Sequence, residues 1–327
     1  MNPLLAAENW WIALVALGLE RMLGYPAPVF AAISHPVVWV GALIDWLDRT
    51  WNRAEWGPGA RRTAGVCAVV LMVLVVAGLT LAATLALRAI PGGWMVEAVL
   101  ASSLLAQRDL GRSVAAVAGG LDESLAQGRD AVRHIVGRNP AELDESGVAK
   151  GAIESLAENT ADGIIVPLFW LLIGGLPAIA VYKAINTADS MIGHRSEKYA
   201  DFGWAAARLD DLVNLPGARL TGALFALAAM LPDPKAGRAA FRAMLRDAPK
   251  HVSPNAGWPE ASMAGALEIQ LGGPRSYGER RVDLPTMGQG RLELSRRDIR
   301  AALALYERAL WIAFAFVGLG AAFTFFP

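Results

Sequence analysis

The tetrapeptide Asn-Thr-Ala-Asp occurs twice, at Asn159 to Asp162 and at Asn186 to Asp189. Each copy offers a carboxylate, an amide and a hydroxyl, and the two bracket one apolar segment, residues 164 to 182. A polar tetrapeptide repeated across a membrane-type segment reads as two similar half-sites rather than as packing. Around the first copy, Lys150, Glu154, Glu158 and Asp162 recur every four residues, so a helix would put them on one face. Like charges at that spacing cost a helix about 0.2–0.5 kcal/mol per pair, and unpaired charge beside a membrane is expensive. The functional reading is an edge that binds magnesium or positions phosphate, since Mg²⁺ commonly takes one or two carboxylates together with substrate phosphates. The plainer alternative is a solvated face neutralised by Lys150.

The second copy opens a denser cluster of Lys183, Asn186, Asp189, His194, Arg195, Lys198 and Arg208, followed by Asp210, Asp211 and Asn214. Lys183, Asn186 and Asp189 or Ser190 share a helical face. Donors mixed with carboxylates suit a phosphorylated substrate with a metal. A salt-bridged juxtamembrane loop would look the same, and His194 alone would fit a capped interfacial histidine. A third group, Lys250 to Glu260, sets His251, Ser253, Asn255, Trp258 and Glu260 in a loop stiffened by Pro254 and Pro259. Such a loop permits close backbone approach to a ligand, and Trp258 offers a flat apolar surface. A tight turn leading into a helix over 260–271 is the competing reading. His35, in Ser34-His35-Pro36, suits either a phosphate contact or an interfacial turn; His134 reads as surface.

The elements that must position these residues are membrane elements. The chain has 327 residues, 54% hydrophobic and 18% charged, with mean hydropathy +0.37. Soluble domains carry about 25% charged residues. The net charge is zero, which excludes the basic excess of a nucleic-acid binder. One cysteine, Cys67, excludes an internal disulfide and a thiolate metal site. No basic residue precedes Arg21, so the N-terminus lacks the charged region of a secretory signal. Apolar segments fall at 10–24, 64–87, 94–106, 163–182, 215–231 and 301–326, with polar segments at 25–63, 107–162, 183–214 and 232–300. Within 25–63, Val37, Val40, Ile44 and Leu47 line one face of an interface helix. Asp144 or Ser146 would cap the helix carrying Glu154, and Gly119-Gly120 and Asn139-Pro140 act as breakers.

The fold expected is a single membrane-embedded domain, an all-α polytopic integral membrane protein with several transmembrane helices and helical polar segments between them. No polar segment is poor in basic residues: they hold four, six, four and twelve Lys/Arg in chain order. Alternating topology would leave some loops basic-poor. A segment that enters and returns removes the conflict, and Gly174-Gly175 and Pro177 break 163–182 where a re-entrant helical hairpin would turn. Both tetrapeptides are then expected on the cytoplasmic face. No P-loop, Rossmann fingerprint, zinc spacing or Gly-x-Ser-x-Gly elbow occurs.

Several long runs carry a family resemblance: Gly128-Arg129 with Ile135-Val136-Gly137-Arg138; Ala152 to Asn159 with Asp162-Gly163 and Pro167 to Trp170; Tyr182 to His194; Arg208 to Asp211 with Asn214 and Arg219; and Ser253 to Gly257 with Pro259-Glu260 and Met263 to Leu267. Ser34 to Val37 also fits. The chain resembles the CobD/CbiB family over nearly its whole length. One departure is Gly24-Tyr25-Pro26, where many members have Gly-Asp-Pro; that turn is given no metal role.

The resemblance implies a membrane-bound adenosylcobinamide-phosphate synthase of the cell inner membrane. Its reaction joins a propionate of adenosylcobyric acid to (R)-1-amino-2-propanol phosphate, or to aminopropanol itself, using ATP and Mg²⁺. On that reading Glu154, Glu158, Asp162 and Asp189 are metal-side candidates. Lys183, His194, Arg195 and Lys198 would contact phosphate, and Asp210 or Asp211 would take the proton of the attacking ammonium. Asn159, Asn186, Arg208, His251, Ser253, Asn255, Trp258 and Glu260 would bind substrate, with the 253–260 loop at the corrinoid edge. The partners implied are the small-molecule substrates, the lipid bilayer, other cobalamin-assembly enzymes and a second copy of the chain. Cobalt arrives already held in the corrin and needs no protein ligand. Two other classes compete: a non-catalytic AmpE-like membrane sensor, and a secondary transporter built on inverted half-sites.

Overall fold

The computed structural model describes residues 7–136, 140–273, 275–277, 280–282 and 284–324. Gly137, Arg138 and Asn139, and the last two residues of the 301–326 segment, lie outside them. The chain is predominantly helical. Its helices are α1 (Glu8–Leu23), α2 (Ala27–Ile33), α3 (Pro36–Trp51), α4 (Pro58–Arg88), α5 (Gly93–Ser102), α6 (Gln107–Glu123), α7 (Leu125–Val132), α8 (Glu145–Thr160), α9 (Val166–Ile192), α10 (Trp204–Met230), α11 (Pro234–Asp247), α12 (Gly257–Leu267) and α13 (Arg296–Phe323). Among the described residues, four stretches are long and apolar enough to cross a membrane: α4, the run Glu145–Ile192, α10 and α13. The chain is an all-α polytopic membrane protein.

Two compact units form. The first contains residues 1–106, 166–214 and 317–327; the second contains 107–165 and 215–316.

In the first unit α4 packs along α9. Its outward face, with Val66, Val70, Leu74, Leu79 and Leu85 exposed, is the apolar surface a bilayer requires. Cys67 lies on the exposed side. In α3, Ile44 and Leu47 are buried and Val37 and Val40 half-buried, while Val38, Trp39 and Trp46 face outward, as the spacing predicted. His35 caps this helix: its Nδ1 accepts the Val37 N–H at 3.2 Å, and its ring stands edge-on to Tyr25 at 4.5 Å. The turn reading of His35 therefore holds. His134 is exposed.

Three expectations about segments need correction. The 94–106 stretch is only the ten-residue α5, about 15 Å long and too short to cross a bilayer. Residues 215–231 are not a separate segment but the second half of α10, which begins at Trp204 and accommodates Pro216. The polar stretch 183–214 is correspondingly mostly helix, with only 193–203 between α9 and α10. The helix after the 253–260 loop runs over Gly257–Leu267, earlier than 260–271, and Ser253 Oγ accepts the N–H groups of Asn255 and Ala256 in the turn just before it.

The apolar segment between the two tetrapeptides breaks at Gly175 and doubles back on itself. Gly175, at φ 65° and ψ −156°, interrupts α9, and Pro177 has no N–H to offer the Ile173 carbonyl. Trp170 and Tyr182 are twelve residues apart, so a continuous helix would separate them by about 18 Å along its axis. Instead the Trp170 indole donates to the Val213 carbonyl at 3.1 Å, and the Tyr182 hydroxyl donates to Asn214 Oδ1 at 2.9 Å. Both rings also line one cavity of about 350 Å³ with Val73, Ala77, Ile185 and Val213. The chain therefore enters along 166–174, turns at Gly175 and returns along 176–192.

In the second unit Asp144 Oδ1 caps α8 by accepting the Gly147 N–H at 2.7 Å. Ser146 is not the cap; its Oγ accepts the Leu294 N–H at 2.9 Å. The core joins Leu156 and Ile164 to Phe225 of α10, Ala261 of α12 and Tyr306 of α13. Two antiparallel strand pairs, β1 (Leu271–Gly272) with β4 (Thr286–Met287) and β2 (Arg275–Tyr277) with β3 (Arg280–Val282), lie between α12 and α13. They are too short to leave an alternating sequence pattern.

Candidate active site

The second tetrapeptide lies on the returning limb of α9, facing α10. Lys183 Nζ donates to Asn186 Oδ1 at 3.4 Å, and Asn186 Nδ2 donates to Asp210 Oδ1 at 3.3 Å. Asn214 Nδ2 donates to the Asp210 carbonyl at 3.0 Å while its Oδ1 accepts from Tyr182. Asp210 and Asn214 are buried; Asp189, Lys183 and Asn186 are half-buried. Asp189 lies within electrostatic reach of Asp211 and His194, and Asp210 within reach of Asp189 and Asp211. Arg208 Nη1 stands 3.4 Å from Asp211 Oδ2. Thr187 and Ser190 do not face the cluster as ligands; each hydroxyl bonds back to a carbonyl of its own helix, Lys183 at 2.6 Å and Asn186 at 3.0 Å.

The structure keeps Lys183, Asn186 and Asp189 on one stretch of α9, as the helical spacing suggested, brings Asp210, Asp211 and Asn214 of α10 to them, and adds Tyr182 as a support. Three carboxylates near one ammonium form an acidic, partly buried surface whose charges call for a cation. Among the described residues no three His, Cys, Asp or Glu side chains converge as a closed metal cage. The donor set fits a magnesium ion carried by phosphates, which takes one or two carboxylates and fills its other positions with phosphate and water.

The 193–203 segment holds the basic candidates. His194 and Arg195 are exposed. Lys198 instead pairs with Asp48 of α3, Nζ to Oδ2 at 2.7 Å, and bonds the Tyr199 hydroxyl at 2.8 Å. The Lys198 carbonyl accepts from Asn52 and Arg61. Burial pushes the Asp48 carboxyl up, but hydrogen bonds from Lys198, Asn52 and Tyr199 more than offset this and hold it below its usual range. Lys198 therefore anchors the segment to α3. In a double-mutant cycle read by thermal unfolding, Lys198→Ala and Asp48→Ala should each weaken stability, with a coupling of about 1 kcal/mol between them; no coupling would mean that Lys198 does not anchor the segment.

The first tetrapeptide belongs to the second unit. A π turn over Ala161–Ile165 follows α8 directly. Asp162 therefore stands on the π turn, past the end of the α-helix that carries Lys150, Glu154 and Glu158. Glu158 and Asn159 are exposed and Asp162 half-exposed. Asn159 Nδ2 donates to the Ser155 carbonyl at 2.9 Å. Glu154 is buried, and its Oε1 accepts the Gly272 N–H at 2.7 Å, which ties α8 to β1.

The 253–260 loop is a compact turn of the same unit. His251 Nδ1 accepts the Ser253 N–H at 3.0 Å, and His251 Nε2 lies 3.9 Å from Glu260 Oε1. Asn255 and Glu260 are buried. The Trp258 indole donates to the Pro254 carbonyl at 3.1 Å, and Arg219 stacks on its ring at 4.4 Å. Ser262 Oγ donates to the Gly222 carbonyl at 2.7 Å, fixing the helix that follows against α10.

Asp247, which sequence reasoning passed over, organises this region. Burial would raise its pKa, but Arg246, Lys250 and the Gly288 N–H bond the carboxylate and hold it at about 2. Lys250 three residues on was the one sequence signal. A depressed carboxyl contributes stability above its ordinary range near 4 and loses it as pH falls toward 2. Asp247→Asn should cost about 2 kcal/mol at pH 7, with the difference from wild type shrinking below about pH 4 and gone near pH 2. Thermal unfolding of both proteins across that range measures it.

These features define a class: a polytopic all-α membrane protein whose doubled-back helix presents a partly buried carboxylate–amide cluster. The chain belongs to the CobD/CbiB family, whose model, described as CobD/Cbib protein, matches residues 13–306. A protein named Cobalamin biosynthesis protein CobD from Rhodobacter capsulatus is 48% identical over 301 residues, covering 90% of this chain and 92% of its own. Proteins of the same name from Brucella suis and a Sinorhizobium species are 49% and 46% identical over 297 and 311 residues. They cover 89% and 94% of this chain and 90% and 96% of their own lengths. No solved structure matches. Family membership places the chain in cobalamin biosynthesis.

Proposed function

We propose that the chain is an ATP- and Mg²⁺-dependent amide ligase, the adenosylcobinamide-phosphate synthase of that biosynthesis. It would join a propionate carboxylate of adenosylcobyric acid to (R)-1-amino-2-propanol phosphate or to aminopropanol. The observation that carries this reading is the Lys183–Asn186–Asp210 chain with Asp189 and Asp211 beside it.

A carboxylate does not accept an amine in water without activation. Phosphorylation by ATP converts it to an acyl phosphate with release of ADP; the amine then attacks the acyl carbon, phosphate leaves, and the ammonium proton passes to a base. Mg²⁺ bound with the nucleotide would be held by Asp189 and an oxygen of Asp211, and would supply neutralisation of phosphate charge. Lys183, half-buried beside Asn186, offers a cation to the transferring phosphoryl group, where a low-dielectric setting strengthens it. Asn186 bonds one carboxylate oxygen of Asp210 and Asn214 bonds its backbone carbonyl, so the carboxyl that would take the ammonium proton is held by Asn186 on a fixed stretch of α10. Within the second unit, Glu158 and Asp162 remain separate candidates for a metal and the 253–260 loop a candidate for corrinoid contact. The cluster would open to the cytoplasm, where ATP is available, with the protein in the cell inner membrane.

Purified protein in detergent or nanodiscs should form adenosylcobinamide phosphate only with ATP and Mg²⁺ both present. The product is read by its mass. No product with either amine donor would sink the proposal, and accumulation of a substrate without ATP would favour a transporter.

A further inference from the structure

Far from the carboxylate cluster, the first unit buries a second polar group that the proposed reaction does not use. Glu97 is fully buried in α5, an otherwise apolar helix. Arg88, the last residue of α4, grips it with a fork: Nε to Oε1 at 2.8 Å and Nη2 to Oε2 at 3.3 Å. Nη2 also donates to Asn9 Oδ1 of α1 at 3.0 Å, and Nη1 lies 3.7 Å from Glu8. Asn9 is fully buried and donates in turn to the Leu172 carbonyl at 3.4 Å.

Leu172 belongs to the last turn of the entering limb of α9. The break at Gly175 and the missing N–H of Pro177 leave carbonyls there that the helix cannot satisfy. Asn9 supplies a donor to one of them, and the Arg88 guanidinium sits where a helix C-terminus favours positive charge. The turn itself is pressed against these groups. A Cβ on Gly175 would lie 3.1 Å from Asn9 Oδ1 and 3.6 Å from Arg88 Nη2, at a positive φ that side chains disfavour. Buried ion pairs add little net stability over apolar packing of the same shape, and ionisable groups at membrane depth are retained chiefly for function.

We propose that Arg88, Glu97 and Asn9 clamp the tip of the α9 hairpin and so fix the position of its returning limb, on which Lys183, Asn186 and Asp189 stand. Arg88 and Glu97 are positioning residues. Arg88 lies against the turn, eight residues from Lys183, Glu97 acts through Arg88, and neither touches a reacting group. The structural half of this inference is independent of the reaction; its consequence for turnover rests on the ligase reading.

The test uses the full chain with Cys67→Ala and a reporter, Ile179→Cys, at a fully buried position one turn beyond the tip. Into it is placed Arg88→Met with Glu97→Leu, which removes both charges together and keeps the volume. The thermal midpoint should stay within a few degrees, while maleimide labels Cys-substituted position 179 at least tenfold faster. The kcat should fall at least tenfold, with the KM for ATP within about threefold. Unchanged labelling would overturn the clamp, and faster labelling with unchanged kcat would overturn the positioning role. If the double variant fails to fold, Asn9→Ala, which leaves the ion pair intact, must show the same two changes. Were the parent protein to make no product, the ligase reading would fall, and labelling would still decide the clamp.

Discussion

Asp189→Asn and Asp210→Asn should each cut turnover by roughly 10²–10⁴-fold and leave the protein folded. The substitution removes one charge and almost no volume. At position 210 the amide oxygen can still accept from Asn186, and the backbone carbonyl still accepts from Asn214, so the supporting network survives. Stability should change by less than about 1 kcal/mol, and removing one of several crowded carboxylates relieves repulsion rather than creating it. The two variants separate the roles. If Asp189 holds the metal, its variant needs more Mg²⁺ for half-maximal rate. If Asp210 takes the ammonium proton, its variant keeps the Mg²⁺ dependence and loses kcat. Asp211 is half-exposed beside Arg208, where water can replace it, and Asp211→Asn should cost about tenfold or less. Rates near wild type in both Asp189→Asn and Asp210→Asn would remove the cluster from the chemistry.

Much of this site could be read from the chain because its signals are local. Lys183, Asn186 and Asp189 sit three residues apart on one helix, so periodicity alone put them together. Gly174-Gly175 and Pro177 announced a break inside an apolar run, and the even spread of basic residues argued for a segment that returns. What the sequence did not disclose depends on contacts between distant residues. Lys198 looked like a phosphate contact because its partner, Asp48, lies 150 residues away. Glu154 looked like a metal ligand until the Gly272 N–H, 118 residues on, occupied one of its oxygens. Asp162 keeps a four-residue spacing from Glu158, yet the π turn on which it stands has no residue signature. Arg88 and Glu97 carry no local signal of their pairing, since their meaning comes from a turn some eighty residues later.

Gly203→Ala should be the most damaging small change outside the cluster. The 193–203 segment leaves α9 at Ile192 and enters α10 at Trp204, and its two ends touch. A Cβ on Gly203 would fall on the Ile192 carbonyl oxygen and within 3.0 Å of the Tyr199 carbonyl oxygen. Both are backbone, and both are held: Gly203 N–H donates to Tyr199 at 2.8 Å, and Tyr199 is drawn to Asp48 at 3.1 Å. Neither can rotate away as a side chain would, so α9 and α10 must part. The overpacking should cost about 1–3 kcal/mol. The larger loss is geometric, because this junction sets the spacing at which Asn186 reaches Asp210 at 3.3 Å. A displacement on the order of 1 Å there can lower turnover about 10²-fold. Gly59→Ala, where a Cβ meets nothing within 4 Å, controls for glycine replacement in general and should leave both rate and midpoint unchanged. Wild-type kcat in Gly203→Ala would mean that the Ile192–Gly203 contact does not govern the distance between Asn186 and Asp210.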